Sequence, residues 1–385
     1  MHNIPYGKQV ITDQDIEAVA TVLRSDWLTT GPSVAEFENV VKDFVGVVHS
    51  VAVSSGTAAL HCAMYAIGIA PGDEVIVPAM TFAATANAVV FQGGVPIFAD
   101  VIEDTLLLDP EHAESLITSR TKAIVAVDYA GQPCDYNALR AIADKHNLVL
   151  IADACHALGA ESHGCRVGSL AEITVFSFHP VKHITTGEGG MAVTDNSEYA
   201  RRMRLFRNHG ISTDFREREK QGSWHYEMVD LGFNYRMTDF QCALGISQMH
   251  SLPDFLYRRR EIAGKYAKAF GDNEDVLPLR VNHNDSHAWH LYVVKLAGRL
   301  VERKVVFQAM RSAGIGVNVH YIPVYLHPFY SHRFGYGQGL CPVAEEAYRH
   351  ILSLPNWPGM SDHDVDTVIE CLRQIAKKPS KAALK

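Results

Sequence analysis

Val149-Leu150-Ile151-Ala152-Asp153 is an apolar run that ends on an acid. Continuous apolar runs of this length are typical of strands that are covered on both faces of a sheet. A carboxylate at the end of such a strand lies where open α/β sheets bind their ligands, and its burial is costly unless a cation or a donor meets it. Asp153 is therefore a candidate ligand-binding residue, although an ordinary helix N-cap would fit the same position.

Six further short apolar runs have the same character, and helix-like segments lie between them. We predict strands at residues 51–53, 74–77, 96–99, 123–127, 149–152, 173–178 and 191–194. The segment 137–146 carries apolar residues at helical spacing, and 57–67 is also predicted to be a helix. Strands that alternate with helices predict an α/β fold built on a mostly parallel, doubly wound sheet.

The pattern changes after residue 250. Ser251-Leu252-Pro253 is predicted to interrupt the chain, and a charged helix that contains Arg258-Arg259-Arg260-Glu261 follows it. A strand-like run at 291–295 then precedes a loop rich in proline and aromatic residues. We therefore predict a large domain over residues 1–250, which includes an N-terminal arm, and a smaller C-terminal α+β domain over residues 251–385.

The composition excludes several classes of protein. With 47% hydrophobic and 20% charged residues, the 385-residue chain is too apolar to be disordered. The net charge of −8 argues against a general nucleic-acid binder, because a phosphate backbone requires a basic surface. The charge-free stretches 44–72 and 75–99 are interrupted by polar residues, glycine or proline, which argues against membrane spans. Seven scattered cysteines and the lack of a signal-peptide pattern predict a cytoplasmic protein.

Two more strand ends carry residues suited to chemistry. Ser55-Gly56-Thr57 follows the first predicted strand and leads into a helix whose free N–H groups suit a phosphate, although an ordinary capped helix fits equally. Lys182 follows the strand at 173–178 among apolar and aromatic neighbours. Most lysines are solvated, but a partly desolvated lysine is a nucleophile suited to forming a Schiff base.

These three strand ends together predict one cofactor, pyridoxal 5′-phosphate. The phosphate of this cofactor needs N–H and hydroxyl donors, its pyridine nitrogen needs a carboxylate, and its aldehyde needs a lysine amine. Gly56 and Thr57, Asp153, and Lys182 provide these three groups in turn.

The sequence also resembles a known family, the DegT/DnrJ/EryC1/StrS sugar aminotransferases. The resemblance extends from about Tyr6 to Pro355. The matching motifs are SGTAAL at 55–60, TFAATAN at 81–87, DACHALG at 153–159, FSFHPVK at 176–182, GEGG at 187–190, GFNYRMTD at 232–239 and VHYIPVY at 319–325. This resemblance implies the aspartate-aminotransferase fold (fold type I) and a transaminase that depends on pyridoxal phosphate.

The resemblance also implies a role for each matching residue. The catalytic residues would be Lys182, on the cofactor's aldehyde, and Asp153, on its pyridine nitrogen. Further cofactor contacts would be Gly56, Thr57 and Ser177 at the phosphate, Phe82 on the ring face, and His156 beside the ring oxygen. Asn234 would reach the phosphate of the partner subunit, which implies a homodimer. The implied substrate contacts are Tyr6, Asp26, Trp27, Leu28, Thr29, Arg236, His320 and Tyr321. An intersubunit salt bridge is an equal alternative to a diphosphate contact for Arg236.

Within the family, the chain is most similar to the transaminases of pseudaminic acid biosynthesis. The similarity rests on HPVKHITTGEGG at 179–190 and WHYEM at 224–228. It implies transfer of an amino group from L-glutamate to C4 of a UDP-linked 4-keto-6-deoxy-N-acetylhexosamine, which gives UDP-4-amino-4,6-dideoxy-N-acetyl-β-L-altrosamine. Enzymes that make perosamine, bacillosamine precursors or aminoarabinose share most of these motifs and are the alternatives.

Three other interpretations are weaker. A sugar 3-dehydrase of the same fold carries histidine at the position of Lys182. A non-catalytic regulatory or binding protein that kept the fold is opposed by the intact set of candidate residues. A metal enzyme would use the histidines at i, i+4, i+7 spacing, His283, His287 and His290. Polar residues at the start of this run predict a loop, and a predicted strand begins at residue 291, directly after the run. No metal site is therefore predicted.

Overall fold

The computed structural model describes residues 3–213, 218 and 222–377. A seven-stranded sheet at its centre has the order β1-β9-β8-β5-β4-β2-β3. Its strands are β1 (His49–Val53), β2 (Glu74–Pro78), β3 (Val95–Ala99), β4 (Thr121–Val127), β5 (Val149–Asp153), β8 (Ile173–Ser177) and β9 (Gly190–Thr194). All seven predicted strands are therefore confirmed.

The sheet is mostly parallel. Only β9 runs against its neighbours, pairing antiparallel with both β1 and β8, while β5, β4, β2 and β3 continue the sheet in parallel. Every residue of β2 and β9 is buried, which explains why these strands are continuous apolar runs in the sequence. The predicted α/β fold is confirmed.

Helices and smaller sheets surround this centre. The helices are α1 (Asp13–Leu23), α2 (Pro32–Val45), α3 (Gly56–Ala66), α4 (Ala83–Phe91), α5 (Pro110–Ser115), α6 (Tyr136–His146), α7 (Ser197–Phe206), α8 (Asp239–Phe270), α9 (Arg303–Ser312), α10 (Pro328–Phe334), α11 (Pro342–His350) and α12 (Asp362–Lys377). One three-stranded sheet contains β10 (Val276–Pro278), β12 (Tyr292–Leu296) and β13 (Ile351–Leu354), and another contains β6 (Glu161–Ser162), β7 (Cys165–Arg166) and β11 (Asp285–Ser286). Among the described residues, no helix combines the length and apolarity needed to cross a bilayer.

The predicted interruption at Ser251-Leu252-Pro253 is wrong. Helix α8 runs without a break through Pro253. A proline inside a helix removes one backbone hydrogen bond, and tertiary packing on both sides outweighs that loss here. Met249 and Leu252 are buried before Pro253, and Ile262 is buried after it.

The C-terminal residues form an apolar cluster of their own. Ile262 and Tyr266 from α8 pack there with Val294 of β12 and Leu352 of β13. The N-terminal arm joins the cluster through Ile4, whose N–H donates to the carbonyl of Gly314 at 2.9 Å. The N-terminal half of α8 contributes Met249 and Leu252 to another apolar cluster, which includes Phe37 of α2. The division into domains 1–250 and 251–385 stays a proposal.

Candidate active site

Asp153 lies at the carboxyl end of β5, and its side chain is held by donors. It is 6% exposed. One carboxylate oxygen accepts from the Thr85 hydroxyl at 2.7 Å, and that hydroxyl lies 2.8 Å from the hydroxyl of Thr81. The other oxygen accepts from the Cys155 N–H at 3.3 Å. The carboxylate therefore has a fixed position at the ligand-binding edge of the sheet.

Gly56 and Thr57 begin helix α3 at the same edge. Ser55 is the N-cap, and its hydroxyl accepts from the Ala58 N–H at 3.1 Å, while Gly56 and Thr57 supply the first N–H groups of the helix. A Cβ atom at Gly56 would lie 2.9 Å from Cβ of Ser177, at the end of β8. The absence of a side chain at Gly56 lets the start of α3 pack closely against Ser177 and Cys155. The helix dipole and the nearby hydroxyl groups of Thr57 and Ser177 suit an anion such as phosphate.

Lys182 lies in the turn after β8, where its N–H donates to the His179 carbonyl at 2.9 Å. Burial lowers the pKa of Lys182, and Arg259 lowers it further, while Cys155 and Asp153 raise it. A lowered pKa leaves more of the amine neutral, which is the nucleophilic form. The amine and the carboxylate of Asp153 thus belong to one electrostatic environment.

His156 and Phe82 complete this part of the site together with Tyr321. The His156 ring is buried, and its Nε2 lies 3.0 Å from the Tyr321 hydroxyl. Its Nδ1 is buried without a hydrogen-bond partner among the described residues. Phe82 is 60% exposed at the start of α4, and its ring centroid lies 6.0 Å from that of Tyr321. We call Phe82, Asp153, His156, Lys182 and Tyr321 the strand-end cluster.

His320 and Tyr6 lie beside this cluster. The His320 ring contacts the Ser353 hydroxyl at 2.8 Å, and its centroid is 5.7 Å from the Tyr6 ring. The Tyr129 hydroxyl donates to the His320 carbonyl. Burial lowers the pKa of His320 to about 3, with a further contribution from Lys182. The structure thus brings both predicted substrate residues to the side of the site that Lys182 occupies.

A second group of predicted residues lies elsewhere. Asp26, Leu28 and Thr29 are exposed and Trp27 is half-buried in the loop before α2. Thr29 pairs with Thr238, and it lines a cleft of about 740 Å³ together with Arg236.

Asn234 is exposed next to this cleft. The adjacent Tyr235 carbonyl accepts from the Ser54 N–H at 2.8 Å, which places the segment beside the end of β1. Arg236 donates to the Asn208 side chain at 2.6 Å. Its predicted salt bridge has no acidic partner among the described residues of this single chain. That Asn234 and Arg236 reach a partner subunit stays a prediction.

The other histidines have ordinary surroundings. His183 is buried against the Ala288 carbonyl at 3.0 Å, and His179 is exposed. His283 is exposed, whereas His287 stacks on Trp289 with a centroid distance of 4.0 Å. No group of three possible ligands is arranged to hold a metal ion in the described part of the chain.

The residues present fit pyridoxal phosphate. The first N–H groups of α3 suit its phosphate, the unpartnered Nδ1 of buried His156 needs a polar ligand atom, and Phe82 offers a largely uncovered aromatic face. Sequence reasoning missed Thr85, which holds Asp153. Thr81 and Thr85 are four residues apart in one of the quoted motifs, so helical spacing after a strand could have indicated that pair.

Comparisons with known proteins agree with this geometry. The profile of the DegT/DnrJ/EryC1/StrS aminotransferase family matches residues 9–373. The Bacillus subtilis spore coat polysaccharide biosynthesis protein SpsC is 44% identical over 382 residues, 98% of each chain.

Two solved structures are similar over almost the whole chain. Spr1654 of Streptococcus pneumoniae, assigned as a sugar aminotransferase and solved in PMP and PLP forms, is 33% identical in its PMP form with a TM-score of 0.93, covering 97% of this chain and 99% of that one. Helicobacter pylori PseC, an aminotransferase of pseudaminic acid biosynthesis, is 33% identical with a TM-score of 0.91, covering 98% of this chain and all of that one. The chain therefore belongs to the DegT/DnrJ/EryC1/StrS aminotransferase family and is a sugar aminotransferase that uses pyridoxal phosphate.

Proposed function

We propose that the enzyme transfers an amino group from L-glutamate to C4 of a UDP-linked 4-keto-6-deoxy-N-acetylhexosamine. The product would be UDP-4-amino-4,6-dideoxy-N-acetyl-β-L-altrosamine, an intermediate on the way to pseudaminic acid. The observation that carries the transaminase chemistry is the strand-end cluster, in which Lys182, Asp153 and Phe82 lie at one edge of the sheet. The similarity to PseC supports the choice of sugar.

The proposed roles follow from the contacts of each residue. Gly56, Thr57 and Ser177 would hold the phosphate, Phe82 would cover the ring, and His156 would meet the ring oxygen through its unpartnered Nδ1. Asp153 would keep the pyridine nitrogen protonated, since Thr85 and the Cys155 N–H fix its carboxylate in place. When bound, the cofactor supplies an electron sink for the carbon that loses a proton.

Lys182 would perform the proton transfers of both half-reactions. Its Nζ takes the proton that leaves the α-carbon of the amino donor, and it delivers a proton to C4 of the sugar in the second half-reaction. A lowered pKa suits both tasks, because the neutral amine accepts a proton and the ammonium gives it up readily. Burial around Lys182 also keeps bulk water from competing for the proton.

The sugar nucleotide would lie between two surfaces. Tyr6, His320 and Tyr321, whose rings lie next to one another, would contact it from the side of the strand-end cluster. The residues that would approach it from the second subunit of a homodimer are Asp26, Trp27, Leu28, Thr29 and Arg236. Asn234 of that second subunit would contact the phosphate of the cofactor. A guanidinium such as Arg236 binds diphosphate oxygens well. We propose a cytoplasmic location, where nucleotide sugars and glutamate would both be accessible.

A second candidate is amination of a different 4-keto sugar nucleotide. The 44% identity to SpsC, a spore coat polysaccharide biosynthesis protein, supports this second candidate.

A panel of UDP-, GDP- and dTDP-linked 4-keto sugars, each assayed with glutamate and analysed by mass spectrometry and NMR, distinguishes the two candidates. We expect amination at C4 of the UDP-linked N-acetylhexosamine. Preference for another nucleotide sugar would replace that substrate, and no amination of any sugar would contradict the proposed reaction. Borohydride reduction with peptide mapping tests separately whether the cofactor is linked at Lys182.

A further inference from the structure

Arg259 is the middle residue of three consecutive arginines on α8, and it differs from both neighbours. Arg260 is exposed, and Arg258 pairs with Asp362 at 2.8 Å near the surface. Arg259 is 1% exposed and is the largest of the fully buried side chains. In the sequence this run looks like a solvated charged face, but the guanidinium of its middle arginine is buried in the interior.

The Arg259 guanidinium joins three segments of the chain by hydrogen bonds to carbonyl groups. Its Nη1 donates to the carbonyls of Trp289 at 3.3 Å, His290 at 3.2 Å and Asn356 at 2.5 Å. Its Nη2 donates to the carbonyl of Lys182 at 3.4 Å, the longest of the four contacts. The turn that carries Lys182 is thereby attached to the C-terminal segments around residues 289 and 356.

No carboxylate neutralises Arg259 among the described residues. Burial lowers the pKa of Arg259 to about 9, so the guanidinium stays charged at neutral pH. Carbonyl dipoles at Nη1 and Nη2 take the place of a counter-ion, whereas the buried Nε has no hydrogen-bond partner among the described residues. The Arg259 charge lowers the pKa of Lys182, of His183 and of His290.

Several other charged or titratable groups share the surroundings of Lys182. They are Asp153, Cys155, His156, His183, His290 and His320. Asp153 acts against Arg259, because a negative charge favours the ammonium form of the lysine. Burial keeps the four imidazoles neutral, since it lowers the pKa of each of them. Arg259 is thus the fixed positive charge that opposes Asp153.

We infer that Arg259 is a positioning residue for Lys182, whose buried guanidinium holds the main chain of the lysine against the C-terminal segments and places a positive charge beside it. This inference rests on the proposed role of Lys182 in the reaction. Helix α8 would thus contribute a positioning residue to the site from outside the strand-end cluster.

The test is competitive acetylation of Lys182 as a function of pH, read by peptide mass spectrometry on the full-length protein after removal of the cofactor. Removing the charge in Arg259→Gln should move the labelling midpoint of Lys182 to higher pH. Arg259→Lys keeps the charge but loses the planar guanidinium. In this variant the labelling midpoint of Lys182 should stay near that of the wild-type protein, while the thermal stability falls. Arg260→Gln, an exposed neighbour on the same helix, is the matched control.

Two results would overturn the inference. One is an unchanged midpoint in Arg259→Gln, and the other is an equal shift in Arg259→Lys and Arg259→Gln. If the glutamine variant does not fold, Arg259→Met provides the same test, because apolar residues can replace buried charged groups. The midpoint is measured without cofactor or substrate, so it would stand even if the proposed transamination failed the sugar panel.

Discussion

The strand-end cluster and the segment 224–236 differ in how complete they are within one chain. In the cluster, Asp153 and His156 are buried and have hydrogen-bond partners from other elements. In the segment, Trp224 is 86% exposed and Leu231 is 71% exposed. Large apolar side chains that gather on a surface mark a site where another molecule binds. One chain thus assembles the strand-end cluster, whereas the segment 224–236 leaves large apolar side chains exposed, which the proposed homodimer would cover.

Replacing Lys182 should have the largest effect on activity. Lys182→Ala would remove both the proposed link to the cofactor and the proposed proton carrier, so we expect transamination to fall by at least about 10⁴-fold. A coupled glutamate assay measures this loss, and the exposed Lys268→Ala is the control. Retention of a substantial rate would show that the cluster does not perform the chemistry.

Asp153→Asn should have the next largest effect. The amide keeps the shape of the side chain but loses the charge that would hold the ring nitrogen protonated, and we expect kcat to fall by about 10² to 10³-fold. Thermal unfolding should change little, because Thr85 can still donate to the amide oxygen. A near-normal kcat would remove Asp153 from the proposed mechanism.

Asn234→Ala tests the incomplete surface. Loss of one hydrogen bond to a phosphate should weaken cofactor binding by about tenfold. Subunit mixing tells whether the residue acts across the interface. At a cofactor concentration that leaves the Asn234→Ala protein largely empty, an equal mixture of Lys182→Ala and Asn234→Ala chains should recover up to about a quarter of normal activity. Half of the dimers are then mixed, and each holds one intact site. No recovery would place Asn234 in its own subunit's site.

The smallest expected effect concerns His61, which contacts the segment 224–236. His61 contacts the Tyr235 hydroxyl at 3.1 Å and the Gln92 amide at 2.8 Å, and burial lowers its pKa to about 4. The unfolded chain binds this proton near pH 6.5, so the stabilising contribution is present above pH 6.5 and is lost as the pH falls to about 4.

His61→Phe should therefore flatten the dependence of Tm on pH over that window. At pH 7 the variant should lose about 1 kcal/mol because its hydrogen bonds are gone. Thermal melts at several pH values measure both effects, with the exposed His225→Phe as the control. An unchanged slope in His61→Phe would exclude His61 as a source of the acid sensitivity.

Much of the fold could be predicted because buried parallel strands consist of continuous runs of apolar residues. Strand β5 ends on Asp153 as expected, and Lys182 follows β8 as expected, since both positions depend on local order along the chain. Helix α8 was predicted wrongly, because the cost of Pro253 is local while the packing that outweighs it comes from distant residues.

Local sequence patterns predicted the seven strands and the chemical groups at three strand ends, because apolar runs, small turn residues and polar termini are local properties. Only the tertiary structure decided which groups meet. It showed that Thr85 holds Asp153 and that Arg259, between two arginines near the surface, is buried against the carbonyl of Lys182. Such contacts join residues far apart in the chain, and their formation depends on the packing of whole helices and sheets, which no local pattern encodes.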